Sequence, residues 1–189
     1  MKKRIAIFAS GSGSNFEALA QACADGRIDA EVALCVVDKP GAGVIARAER
    51  LGVPLMVVSP KDFPSKRDYE KAIADRLDSE EICLVCLAGY MRIVGGELLG
   101  RYGGRIINIH PALLPAFKGA HAIADAFAYG VKVYGVTIHF IDDTIDGGTI
   151  VSQVAVPYEG DDIDELEAMI HRAEHALYVD TVSRLLPNL

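Results

Sequence analysis

Short apolar runs alternate along the chain with stretches whose apolar residues recur every three or four positions, a pattern that predicts strands and helices in turn. Residues 4–9 form a strand, 16–24 an Ala-rich helix, 31–37 a second strand and 44–51 a helix. A third strand follows at 54–58, an amphipathic helix at 66–77 with Tyr69, Ile73 and Leu77 on one stripe, and a fourth strand at 82–88. That fourth run is apolar on both faces, as expected at the centre of a parallel sheet. A short helix at 95–102 precedes a strand at 106–109, and a helix at 121–128 ends at Gly130. Two strands, 133–141 and 149–156, flank the turn residues 142–148, and a last helix spans 163–186. Its core stripe is Ile163, Leu166, Ile170, Ala173 and Leu177. The expected fold class is α/β, a doubly wound and mostly parallel sheet with an antiparallel C-terminal extension.

With 189 residues, 51% of them hydrophobic, one compact domain over 1–189 is expected. No apolar run approaches the roughly 18 residues of a membrane span, and residues 1–4 lead at once into a strand, not a signal-peptide core, so a cytoplasmic protein with no membrane partner is expected. The net charge of -7 argues against gripping a nucleic-acid backbone, because that affinity comes from Lys and Arg. Cys83 and Cys86 have redox or zinc spacing but lie in an apolar run with no second Cys/His pair at ligand spacing, so all four cysteines are expected as free thiols and no metal is expected.

Three loops carry candidate chemistry. Residues 10–15, Ser-Gly-Ser-Gly-Ser-Asn, join a strand to a helix and offer backbone N–H groups, hydroxyls and Asn15 as a helix cap, which suits a phosphate. The spacing differs from the dinucleotide fingerprint, and the only strand-end acid about 20 residues on is Asp38, so dinucleotide binding is disfavoured. In the second stretch, 105–119, Asn108 and His110 leave the end of one apolar strand together, and Pro111 holds His110 extended. In the third, Asp146 precedes Gly147 and Gly148, where backbone can approach a ligand closely. Asn108 can donate to a carbonyl oxygen as charge develops, His110 can pass protons, and Asp146 can stabilise the charged ring. No Ser or Cys stands as a nucleophile beside a base, so direct attack by a substrate amine on a carbonyl fits, with a phosphate-bearing substrate.

These residues resemble the phosphoribosylglycinamide formyltransferase family over nearly the whole chain. The resemblance rests on residues 11–15, Leu87-Ala-Gly-Tyr-Met-Arg-Ile93, Asn108-Ile-His-Pro-Ala-Leu-Leu-Pro115, Asp146-Gly-Gly148 and Glu174-His-Ala-Leu-Tyr178. It implies a Rossmann-like formyltransferase fold, a phosphate-binding half at about 1–100 and a folate and catalytic half at about 101–189. It also implies formyl transfer from 10-formyltetrahydrofolate, as co-substrate, to glycinamide ribonucleotide in purine biosynthesis, by a monomer or homodimer without metal. Asn108 would polarise the formyl oxygen, His110 would act as general acid and base, and Asp146 would raise the pKa of His110 and orient a water. Gly13, Ser14 and Asn15 would cradle the phosphate, with Glu174 near the ribose. Met91, Arg92, Ile93 and Val94 would line the pterin pocket with Asp142, Asp143, Thr144, Ile145 and Asp146, and Lys66 would meet the folate tail.

The chain departs from the family at Ala112, where Ser is frequent, at Lys118 and Thr149, where Pro is frequent, and at Lys66, which replaces Arg. None of these removes a group from the proposed triad. The alternatives are a formyltetrahydrofolate deformylase-like hydrolase, which carries an extra N-terminal domain in that family, and an idle phosphate- or folate-binding module. Methionyl-tRNA formyltransferase shares the Asn, His and Asp set but adds a C-terminal tRNA-binding domain, against an acidic chain here that stops at Leu189.

Overall fold

The computed structural model describes residues 2–189. Seven strands form one sheet in the order β3-β2-β1-β4-β5-β6-β7. They are β1 (Lys3–Ala9), β2 (Ala30–Val37), β3 (Leu55–Val57), β4 (Leu84–Leu87), β5 (Ile106–His110), β6 (Val133–Phe140) and β7 (Ile150–Pro157). The first five pair in parallel, whereas β6 runs antiparallel to both β5 and β7. Six helices lie between and after them: α1 (Ser14–Ala24), α2 (Val44–Arg50), α3 (Lys66–Ser79), α4 (Gly96–Tyr102), α5 (Ala122–Tyr129) and α6 (Ile163–Leu185). The mixed sheet matches the expected fold class.

Alternation along the strands divides the core. Leu84 and Cys86 of β4, with Ile107 and Ile109 of β5, face one layer shared with residues of α1, α2 and α6, while Val85, Leu87 and Ile106 face the layer under α3 and α4. Tyr69, Ile73 and Leu77 of α3 are buried as their spacing predicts. The stripe of α6 differs from expectation. Its buried line is Leu166, Ile170, Glu174, Tyr178, Thr181 and Val182, whereas Ile163, Ala173 and Leu177 are only partly covered. A carboxylate and a hydroxyl stand in that line: Glu174 lines a cleft and pairs with His171, while the Thr181 hydroxyl is buried without a partner. Tyr178 Oη donates to the Leu87 carbonyl at 2.9 Å and the Ile107 carbonyl at 3.4 Å, joining β4 to β5. All four cysteines are free thiols. Burial pushes the Cys23 thiol up to about 11 and that of Cys35 up to about 12.

The strand order reverses at β1, whose neighbours are β2 and β4, so the loops after β1 and β4 diverge and open a crevice at their C-terminal ends. Two bonds fix its floor: Ser10 N donates to the Gly89 carbonyl at 3.1 Å and Met91 N donates to Ser10 Oγ at 2.8 Å. The Tyr178 bonds brace the adjoining β4–β5 pair from beneath. Tyr178→Phe is expected to destabilise the protein by about 1–2 kcal/mol and lower Tm by about 2–8 °C, read by calorimetric unfolding. An unchanged Tm would remove this brace from the account.

Candidate active site

The loop after β1 is shaped by Gly13, whose φ of +82° is left-handed and whose Cβ, if present, would stand 2.6 Å from Val44 Cβ. Only glycine fits there, and it ends the loop early. Helix α1 therefore starts at Ser14, with Gly13 as its cap, and the expected capping role of Asn15 is wrong: Asn15 sits in the first turn, buried, with Oδ1 unpartnered. The loop carbonyls are engaged from outside, Gly11 by Val44 N at 3.0 Å and Ser12 by Arg47 Nε at 2.8 Å. The N–H groups of the first helical turn have no intrahelical acceptor and remain for an anion.

A cleft of about 350 Å³ opens over this loop, lined by Gly13, Ser14 and Asn15 on one wall and by Lys39, His171 and Glu174 on others. Glu174 is 6% exposed, and its Oε2 accepts from His171 Nδ1 at 2.7 Å. That bond, aided by the charges of Glu174 and Glu167, holds the His171 pKa above its ordinary value against the effect of burial. Burial pushes the neighbouring His175 pKa down, and its Nε2 has no partner. Asp38 directly follows β2, and Oδ2 of its buried carboxylate accepts from Arg92 Nε at 2.7 Å. Its other oxygen, Oδ1, is buried without a partner.

Asn108 and His110 belong to β5 itself, which runs one residue beyond expectation because His110 still pairs with Thr137 of β6. Both share the sheet face of Ile106, two and four residues earlier. His110 is 4% exposed, and its ring is held from both ends: Nε2 donates to the Phe117 carbonyl at 2.8 Å, and Nδ1 stands 3.5 Å from Asp146 Oδ1. With Nε2 committed as a donor, any proton that His110 gives or takes is on Nδ1 and faces Asp146. The other carboxylate oxygen, Oδ2, accepts from Gly119 N at 2.7 Å. Phe117 and Asp146 both hold left-handed φ angles, +50° and +47°, a strained geometry in a non-glycine residue that the surrounding bonds maintain. Asn108, His110 and Asp146 line one cleft of about 260 Å³.

His139 was not foreseen from the sequence. It is 1% exposed, lies opposite Asn108 in the β5–β6 register, and donates from Nδ1 to the Gly147 carbonyl at 2.7 Å. Its Nε2 is thereby an acceptor and receives Asn108 Nδ2 at 3.2 Å. One imidazole joins the Asn108 amide to the turn that carries Asp146. Thr137 was missed as well. Its Oγ1 donates to the Ala112 carbonyl at 2.7 Å and accepts from Leu114 N at 3.1 Å, and Gln153 Nε2 donates to both Thr137 Oγ1 and the Leu114 carbonyl. These bonds set the course of the chain after His110. Ala112 takes part through its carbonyl, so a hydroxyl on its side chain is not needed for this clamp. The signal for both residues was visible: Thr137 and His139 are alternate polar positions inside an apolar strand.

The remaining expected residues separate into two groups. Arg92, Ile93, Val94, Asp142, Thr144, Ile145 and Asp146 gather with Asn108 and His139 around a slot of about 130 Å³, and Met91 lines the adjoining triad cleft. Asp143 is exposed and lines neither. In the 142–148 turn, Asp142 Oδ1 accepts from Thr144 N at 2.8 Å and from Thr144 Oγ1 at 2.6 Å, which with other contacts lowers the Asp142 pKa. Lys66 lines neither the slot nor the triad cleft but a cavity of about 440 Å³ with Tyr69 and Leu98, which shares the 91–94 wall with them. Its Nζ is 3.6 Å from Glu70, whose Oε1 accepts from Gly95 N at 2.7 Å.

A family model described as "Formyl transferase" matches residues 3–182. The chain is 46% identical over 185 residues to a phosphoribosylglycinamide formyltransferase of Bacillus subtilis (strain 168), covering 97% of this chain and 95% of that one. The crystal structure of a protein of that name from Bacillus halodurans superposes with a TM-score of 0.94 at 50% identity, covering 97% of this chain and 95% of that one. Glycinamide ribonucleotide transformylase 1 of Geobacillus kaustophilus gives 0.95 at 49% identity, covering 98% and 100%.

Removing the shared partner of Asn108 and Gly147 leaves two part-buried polar groups unpaired and a void where the buried ring stood. His139→Ala is expected to cost about 2–4 kcal/mol in denaturant unfolding. It is also expected to speed amide exchange in the 142–148 turn. Unchanged exchange there would show that the turn does not depend on His139.

Proposed function

The chain belongs to the formyl transferase family, and on that premise we propose that it is a phosphoribosylglycinamide formyltransferase. It transfers the formyl group of 10-formyltetrahydrofolate to the amine of glycinamide ribonucleotide in de novo purine biosynthesis, in the cytoplasm. The observation that carries this reading is the junction of the two clefts. The phosphate-loop cleft and the triad cleft share Gly89, Met91, Ile109 and Pro111 in their walls, so a ligand with its phosphate at residues 10–15 has an open path to His110.

The ribonucleotide phosphate meets the N–H groups of Gly13, Ser14 and Asn15, and Glu174 accepts from a ribose hydroxyl. The pterin lies in the slot between Arg92–Val94 and the 142–146 turn. Three exposed apolar side chains, Met91, Ile93 and Ile145, surround these clefts and suit a flat heteroaromatic ligand. The substrate amine attacks the formyl carbon, forming the new C–N bond and placing negative charge on the formyl oxygen. The Asn108 N–H not used by His139 donates to that oxygen, an effect typically worth about 100- to 1000-fold in rate. The amine loses a proton and N10 of the folate gains one as its bond to carbon breaks. His110 Nδ1 mediates this exchange with a water held by Asp146. The products are formylglycinamide ribonucleotide and tetrahydrofolate.

Tetrahydrofolate release from 10-formyltetrahydrofolate, followed with and without glycinamide ribonucleotide, tests the reading. Release is expected only with the ribonucleotide; release without it would identify a hydrolase instead. In the same assay Asp146→Asn is expected to lower kcat by about 100-fold or more with little change in folate affinity. Unaltered turnover would remove Asp146 from the proton path.

A further inference from the structure

One buried carboxylate has no part in the formyl transfer itself. The Asp38 side chain is 0% exposed and lines neither the phosphate-loop cleft nor any cleft that Arg92 lines, yet the donor it accepts from is the Nε of Arg92 at 2.7 Å. Its other oxygen has no donor. A buried carboxylate that braces a fold is ordinarily satisfied by several donors. This one has a single donor, from a side chain that is 43% exposed and lines the 440 Å³ cavity, the pterin slot and the triad cleft. Among the described residues, Nη1 and Nη2 of Arg92 have no partner.

The bond spans the point where the strand order reverses. Asp38 follows β2 and Arg92 follows β4, the two strands that flank β1, so the guanidinium is fastened across the C-terminal end of the strand between them. The chain on either side of Arg92 is fastened as well. Tyr90 Oη shares a hydrogen bond of 2.7 Å with Tyr69 Oη, and its ring stands edge-on to that of Phe8 at 5.3 Å. Met91 N donates to Ser10 Oγ and Gly95 N to Glu70 Oε1. In this row Asp38 makes the one hydrogen bond to the Arg92 side chain among the described residues.

We infer that Asp38 is a positioning residue for the folate co-substrate: by holding Nε it fixes the Arg92 guanidinium on the 91–94 wall, with both Nη groups turned to the clefts, before the ligand arrives. The inference rests on the formyltransferase reading, which lays the folate along this wall. Arginine has a long, rotamer-rich side chain, and stilling it during binding weakens affinity; a carboxylate that already holds it removes that loss. With Nε taken, the planar fork leaves Nη1 and Nη2 as adjacent donors, a pair suited to a carbonyl or carboxylate oxygen. Asp38 touches no substrate. Its effect passes through Arg92.

The Nε–H signal of Arg92 in heteronuclear NMR, assigned by its loss in Arg92→Lys, reads the holding directly. It is expected to be rigid and slow to exchange with water in the wild type, and mobile and fast to exchange in Asp38→Ala. Calorimetric titration with 10-formyltetrahydrofolate, without ribonucleotide, is expected to show binding about 3- to 10-fold weaker in Asp38→Ala, and a smaller loss in Asp38→Asn, which keeps an acceptor. Asp38→Asn preserves the size of the side chain, so its affinity and Nε–H exchange carry the test even where alanine unfolds the protein. Combined with Arg92→Met, the Asn and Ala variants are expected to bind folate equally, because the residue they act through is gone. A merely structural role would keep them apart in both backgrounds. Folate affinity equal to wild type in the Asp38 variants, or a difference between Asn and Ala that persists with Arg92→Met, would overturn the role of Asp38 and leave the formyltransferase reading intact. No binding of 10-formyltetrahydrofolate to the wild type would overturn both.

Discussion

The antiparallel pairing of β5 with β6 is the constraint on which the site depends. Side chains alternate along both strands, and the register sets Asn108 against His139 and His110 against Thr137. Four polar groups thus share one sheet face. A slip of one residue would turn all of β6's contribution to the opposite side. No helix needs to cover this patch, because two loops do so: one follows His110 and the other follows β6. Each is tied to the polar groups it covers, through Thr137 and Gln153 in the first loop and through His139 in the second.

This arrangement also explains how a buried polar group of this size is tolerated. Leaving a buried donor or acceptor unpaired costs about 1–3 kcal/mol, and here the His139 ring has partners on both nitrogens and the His110 ring on Nε2. The strain in Phe117 and Asp146 is held by the same contacts. Gly148 completes the turn: its φ is +91°, and any Cβ would clash with the Phe140 carbonyl. The triad cleft therefore rests on hydrogen bonds between strand and loop. The 10–15 loop rests on close packing, with Val44 against Gly13 and the loop carbonyls engaged by α2. The two meet where β1 and β4 part.

Much of this was legible in the sequence. The alternation of apolar runs placed every strand and α-helix within a few residues, and the Asn108, His110 and Asp146 motifs pointed to residues that the fold brings to one cleft. The misses have physical causes. Asn15 was read as a cap because its chemistry suits one, but Gly13 with Val44 behind it sets the helix start. The buried line of α6 was drawn through Ile163, Ala173 and Leu177, whereas Glu174, Tyr178 and Thr181 lie on it, because which side of a helix is covered depends on what packs against it. His139 and Thr137 were passed over because a polar residue in a strand gains meaning only from its partner, and the β5–β6 register is a tertiary fact. His171 was invisible for the same reason, since its place depends on the wall opposite.

The central claim is that one substrate's phosphate at residues 10–15 and the other's formyl group at Asn108 meet beside His110. A crystal structure of the protein with glycinamide ribonucleotide and a non-transferable 10-formylfolate analogue tests it most directly. The account predicts the phosphate on the N–H groups of Gly13, Ser14 and Asn15, the formyl oxygen within about 3.2 Å of Asn108 Nδ2, and the amine within reach of His110 directly or through one water. A formyl group bound away from Asn108, or a phosphate bound outside the 10–15 loop, would contradict it.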